Sequence, residues 1–252
     1  MSAAADLFDA ARALKRELTG NPNIGLDQEQ DVDAFNAIIS RWKPVVKTSP
    51  PVIDLTAGTK NPTALTNAAE FFAVVREAFG ALSEEQVKGF ERLLQAYGVA
   101  VWPIAYAAYG LATGWRETAK QMKPVKEAYW LSEDWRKNNL KYYPWYGRGD
   151  VQLTWRTNYL RADKELGLCG SLAANPELAL RPDISAKVMV MGMEEGWFVP
   201  GHSLPIHLPG SGNASFDQYK QARRIINGTD AWEEIATNAL KFEAALIAGG
   251  WR

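Results

Sequence analysis

Tyr146-Gly147-Arg148-Gly149-Asp150-Val151-Gln152-Leu153-Thr154-Trp155-Arg156-Thr157-Asn158-Tyr159 is the stretch on which the reading of this chain turns. Gly147 and Gly149 allow backbone shapes and close approaches that a side chain would block. Beyond them, polar and apolar positions alternate through Gln152, Leu153 and Thr154, and Asn158 follows Thr154 by four residues. Gln152, Thr154 and Asn158 are uncharged and offer hydrogen-bonding groups of both polarities, which a sugar hydroxyl or acetamido group requires. A minor β element is expected beside this Gly-Arg-Gly segment, and little strand elsewhere.

Outward from it the periodicity is helical. Ala3 to Leu18 sets Leu7, Ala10, Ala11, Leu14 and Leu18 on one face, and Gly20-Asn21-Pro22 ends that helix. Val32, Phe35, Ile38, Ile39 and Trp42 recur as Val87, Phe90, Leu93, Leu94 and Tyr97 at identical spacing, each set with a Glu-Gln pair just upstream. Both are amphipathic helices; internal duplication and convergence on one helix pattern account for the likeness equally well. Residues 43–62 carry Pro44, Pro50 and Pro51 among Thr, Ser and Gly and read as a linker or long loop. Asn67 to Phe79 is helical again, and Ser83-Glu84-Glu85 reads as an N-cap with an acidic first turn. The expectation is a mainly α protein, with a helical accessory region over 1–81 and a catalytic domain over 82–252.

Bulk properties narrow the function. With 28 Lys and Arg against 29 Asp and Glu there is no basic footprint for nucleic acid. No apolar run approaches the roughly 20 residues of a membrane span, and the N-terminal residues do not read as a secretory signal peptide. Cys169 is the only cysteine, so an internal disulfide is excluded and synthesis and folding in a reducing cytoplasm are expected. Nothing beside that thiol would activate it, and it reads as a small packing residue. His202 and His207 flank a Pro- and Gly-containing loop and lack an acidic or thiol partner nearby in sequence, so they read as structural; no metal or cofactor is expected.

Glycosidic hydrolysis uses two carboxyl groups, one to donate a proton and one to activate water or attack carbon. Glu117, in Ala112-Thr113-Gly114-Trp115-Arg116-Glu117-Thr118-Ala119, closes an apolar helical stretch from Ile104 to Leu111. Partial desolvation there suits a general acid. Pro124 is expected to break that helix or its extension and fold the chain back. Glu127 lies ten residues beyond Glu117; Glu133 and Asp134 compete with it, although Ser132-Glu133-Asp134 looks more like a helix cap and first turn.

The 146–159 segment resembles the Tyr-Gly-Arg-Gly signature of family 19 glycoside hydrolases, the chitinases and related phage and bacterial endolysins. Arg116-Glu117-Thr118 resembles that family's His-Glu-Thr motif, with Arg116 in place of the histidine and expected to face away from the site. The resemblance extends from about residue 111 to 242, through Asn175-Pro176-Glu177-Leu178, expected to be structural, and Ile225-Ile226-Asn227-Gly228. It implies a lysozyme-like helical fold and an inverting mechanism. Glu117 would be the acid, Glu127 the base, and Thr154 a holder of the attacking water. Gln152, Asn158 and Asn227 would bind sugar, although Asn227-Gly228 also reads as a simple turn. Among the aromatics clustered here, Tyr146 is the foremost expected sugar contact.

The substrate so implied is a β-1,4-linked N-acetylated glycan, and the expected partner is that polysaccharide alone, met by a monomer. Peptidoglycan is favoured, cut by an endolysin-like protein that reaches the wall after release or delivery. Chitin and a catalytically inactive glycan-binding protein are the alternatives.

Overall fold

In a computed structural model, which describes residues 64–252, the chain runs through α1 (Ala68–Phe79), α2 (Glu84–Val99), α3 (Ile104–Glu117), β1 (Val125–Lys126), α4 (Glu133–Asn139), β2 (Arg148–Gly149), α5 (Arg156–Glu165) and α6 (Ser171–Ala174). A 3-10 turn at Pro176–Leu180, α7 (Pro182–Glu195), α8 (Leu204–His207), α9 (Phe216–Ala222), a second 3-10 turn at Arg223–Ile225 and α10 (Trp232–Ala248) complete it. The protein is mainly α, with one two-stranded antiparallel pair that matches Val125 to Gly149 and Lys126 to Arg148. The expected helices at 3–18 and 32–42, and the linker between the second of them and residue 63, lie outside the described residues.

α3 is the axis of the core. Every residue from Ala105 to Trp115 is buried, as a helix apolar on all sides must be. α10 packs along it, and α1 and α9 pack on α10, while α2 bridges α3 and α7. The elements start where local chemistry satisfies their free N–H groups. Asn67 accepts from Glu70 N at 3.1 Å, and Ser83 and Gln86 cap α2 reciprocally. Ser132 accepts from Trp135 N, so Ser132-Glu133-Asp134 is the cap and first turn its sequence suggests.

The core does not divide at residue 82. Phe71 and Phe72 of α1 pack edge to face on Phe90 of α2, and Phe79 stacks on Phe242 of α10 at 4.6 Å. The chain before α1 is bonded to the C-terminus, through Asn67 N to Gly249 O at 2.9 Å and Arg252 N to Ala64 O at 3.1 Å. The expected boundary between 81 and 82 falls between α1 and α2, and the apolar face of α1 packs on the same core as the rest.

Two further expectations are corrected. α3 ends at Glu117, seven residues before Pro124. Its stop is local: Thr118 Oγ1 donates to Gly114 O at 2.7 Å and accepts from Met122 N, and Ala119, Lys120 and Met122 take positive φ. Cys169 is exposed on a turn, at φ 52°, rather than packed. Among the described residues no helix is long and apolar enough to cross a membrane.

Candidate active site

The short β pair exists to hold Glu127 against the Gly-Arg-Gly segment. Glu127 N donates to Gly147 O at 2.7 Å just beyond the ladder, and Gly147 N returns a bond to the Glu127 carboxylate at 2.9 Å. This closeness requires glycine. A Cβ on Gly147 would stand 2.7 Å from Gln152 Oε1 and 3.2 Å from Glu127 Oε2. Gly149, at φ 90°, is confined in the same way by Ser185 Oγ at 2.8 Å and Ala179 O at 3.1 Å.

The other oxygen of Glu127 accepts from Tyr142 Oη at 2.6 Å. Burial, then the bond and charge of Glu127, push the Tyr142 phenol up to about 12. It therefore stays protonated and remains a donor over the ordinary pH range. The carboxylate is thus fixed at both oxygens.

Glu117, at the last turn of α3, is mostly buried and pairs with Arg223, whose Nη1 donates to Oε1 at 2.6 Å. Arg223 is buried and is held in turn by Asp230 O, which accepts from Nε at 2.9 Å. Arg116 turns away, towards Glu234 at 3.4 Å and Asp230 at 4.0 Å. Adjacent helical side chains diverge by about 100°, as the sequence reading assumed.

Glu117, Glu127, Gln152, Thr154, Asn158 and Asn227 all line one cavity of about 560 Å³. The amide of Gln152 donates to Val125 O and Gly149 O, both at 3.1 Å, which leaves Oε1 as its acceptor. Thr154 Oγ1 donates to Gln152 O at 2.7 Å, so its lone pairs face the remaining space as acceptors. Asn227 Oδ1 accepts from Gly228 N at 2.9 Å. Its turn role and its place on the cavity wall are therefore compatible, because the amide N–H₂ is still available to donate.

Tyr146 is not among these residues. It is completely buried, its hydroxyl donates to Glu133, and the Arg148 guanidinium lies 3.5 Å from its ring centroid. Arg148 also donates to the carbonyls of Pro144 and Tyr146 and pairs with Glu177, so both residues belong to the support beneath the site. Glu177, in the segment expected to be structural, serves there with its neighbour Lys126 at 2.8 Å. The aromatic wall is built by Tyr142 and Trp155, packed edge to face at 4.9 Å, and Phe198 lines the same cavity.

Sequence reasoning missed Trp155 and Arg223 as site residues, and it placed Tyr142 only in the aromatic cluster with Tyr143, Trp145 and Tyr146, from which one or two sugar contacts were expected. Arg223 had a legible signal: Asn227 N donates to Arg223 O, the four-residue helical step that puts two side chains on one face. The bond of Tyr142 to Glu127 had none, since only the folded chain brings the two together. His202 and His207 meet ring to ring, with Nδ1 and Nε2 2.8 Å apart. Among the described residues no group of three or more His, Cys, Asp or Glu is placed to hold a metal ion.

No protein-family model matches the chain, and no curated protein matches it. Among solved structures, the chain is similar to a point mutant of chitinase C, at 21% identity over 77% of this chain and 97% of that one, with a TM-score of 0.46. It is also similar to chitinase C from Streptomyces griseus, at 22% identity over 77% of this chain and 79% of that one, with a TM-score of 0.46.

Proposed function

We propose that this protein is an inverting glycoside hydrolase of the family 19, lysozyme-like type that cuts β-1,4 bonds in N-acetylated polysaccharide. The observation that carries the reading is two carboxylates in one cavity, each held by a different device, with neutral hydrogen-bonding side chains and aromatic rings lining the same cavity. In this reading Glu117 is the acid. Arg223 occupies Oε1, so the proton for delivery sits on Oε2 and passes to the glycosidic oxygen as its bond to the anomeric carbon breaks. Glu127 is the base: it takes one proton from a water whose other O–H stays intact and donates a hydrogen bond to Thr154 Oγ1, and the water oxygen attacks the anomeric carbon from the opposite face. Inversion requires room for that water, a carboxyl separation of roughly 6.5–9.5 Å rather than about 5 Å. Gln152, Asn158 and Asn227 bind the sugar hydroxyl and acetamido groups, and Trp155 stacks on a ring face.

Peptidoglycan is the first substrate to test and chitin the second. The orientation of Arg116 away from the cavity supports an active enzyme over an inactive binding protein. Wild type and Glu117→Gln are compared on purified peptidoglycan and on soluble chitin oligomers, with products identified by mass spectrometry. We expect cleavage that drops by about 10²–10⁴-fold in the variant. Wild-type turnover by Glu117→Gln would remove Glu117 from the role of acid, and no turnover of either substrate by wild type would sink the hydrolase reading.

A further inference from the structure

Beyond the cavity, the most exposed large ring in this region is Trp130, at 71%, with Tyr129 beside it at 47%. They form the tip of a turn closed by Leu131 N to Ala128 O at 2.9 Å, with Ala128 at φ 47°. The two rings pack edge to face, 5.1 Å apart at 85°, which leaves ring surface open to water. Two adjacent exposed rings give a contiguous apolar surface on which a contact can form.

The turn is not a loose appendage. Arg136, 4% exposed, donates through Nε to Glu127 O and through Nη2 to Ala128 O, both at 2.8 Å. One buried guanidinium therefore clamps the backbone of the cavity-lining carboxylate and the base of the aromatic turn together. Whatever the turn grips is held in a fixed register to Glu127. The pair also repeats the edge-to-face arrangement of Tyr142 and Trp155 on the cavity wall. A polymer is longer than a cavity of about 560 Å³ and must continue past its rim.

We propose that the Tyr129–Trp130 turn is a second, external binding site for the polysaccharide, gripping sugar units outside the cavity by stacking. The proposal rests on the glycan reading of the cavity but does not require that bonds be cut there.

The test is co-sedimentation of the full chain, carrying Glu117→Gln so that polymer is not consumed, with insoluble chitin, with isolated peptidoglycan, and with zwitterionic phospholipid vesicles. We expect Trp130→Ala to weaken binding to at least one polymer by roughly three- to ten-fold, and Tyr129→Ala to act in the same direction. Trp130→Phe should restore most of the loss, and thermal unfolding should be unchanged. Polymer binding unaffected by Trp130→Ala, absence of polymer binding, or Trp130-dependent binding to vesicles alone would each overturn the proposal. If wild type cleaves nothing while Trp130-dependent polymer binding persists, the hydrolase reading falls and the external site stands. Cleavage with Trp130-independent binding has the reverse meaning.

Discussion

A carboxylate that must take a proton from water is of little use if it can rotate away, and Tyr142 stops Glu127 from rotating. Tyr142→Phe should cost on the order of 10²-fold in kcat if positioning is its role, with a smaller change in KM. The phenol has a second signature. Its folded pKa, raised to about 12, exceeds the ordinary value of 10.0, so the folded protein holds this proton more tightly than the unfolded chain. Its contribution to stability is complete below the ordinary tyrosine range and is lost as pH rises through about 12. Ultraviolet titration should show that the tyrosine lost in the variant is a late-ionising one; loss of one that ionises in the ordinary range instead would mean that Glu127 does not hold the Tyr142 proton. Arg223 acts on the other carboxylate. Arg223→Met leaves Glu117 without its cation, and a loss of about 1–3 kcal/mol in stability, read by chemical denaturation, should accompany a fall in kcat.

At the scale of elements, the β pair is only two residues long on each strand, yet it positions Glu127, Gly147 and Gln152. Its weak point is Gly149. There φ is 90° and a Cβ would meet Ser185 Oγ at 2.8 Å and Ala179 O at 3.1 Å, where α7 and the 3-10 turn press on β2. Gly149→Ala should destabilise by about 1–3 kcal/mol through strain at this backbone conformation. Because Ser185 also donates to the buried Asp150, which pairs with Arg92 of α2, the damage should spread to the α2–α7 contact. Hydrogen exchange of the β2 and α7 amides reads it, and protection equal to wild type at both would disprove the coupling.

For the molecule as a whole, the sharpest dependence on conditions should be at acid pH. His207 is pushed below its ordinary value by burial first, then by His202 and Arg224. Glu177 feels burial upward, but its bonds and charge contacts with Lys126 and Arg148 outweigh it and leave its carboxyl lowered. In both cases the unfolded chain binds the proton more tightly, so stability falls as pH falls. The His207 contribution is present above the ordinary histidine range and goes first, from about pH 6.5 downward; that of Glu177 follows below the carboxylate range. His207→Gln should flatten the first part of the melting-temperature profile and leave the second intact. A profile unchanged by that substitution would show that the histidine pair carries no such linkage.

The sequence by itself determined the helical class, the starts of α1, α2 and α4, the minor β element, and six of the cavity's residues, Glu117, Glu127, Gln152, Thr154, Asn158 and Asn227. These features are local: a cap, a period of 3.6, or a glycine required by close approach leaves its mark within a few residues. Tertiary structure alone decided that Tyr146 is buried support while Trp155 faces the cavity, because both are aromatic residues beside the same glycines. It alone brought Tyr142 to Glu127 and Arg223 to Glu117, pairs separated by 15 and 106 residues. It also joined α1 to the core across an expected boundary, since the stacking of Phe79 on Phe242 links residues that no sequence period relates. Which face of a ring meets solvent, and which distant charge meets a carboxylate, are settled by how helices pack, and packing is a property of the whole chain.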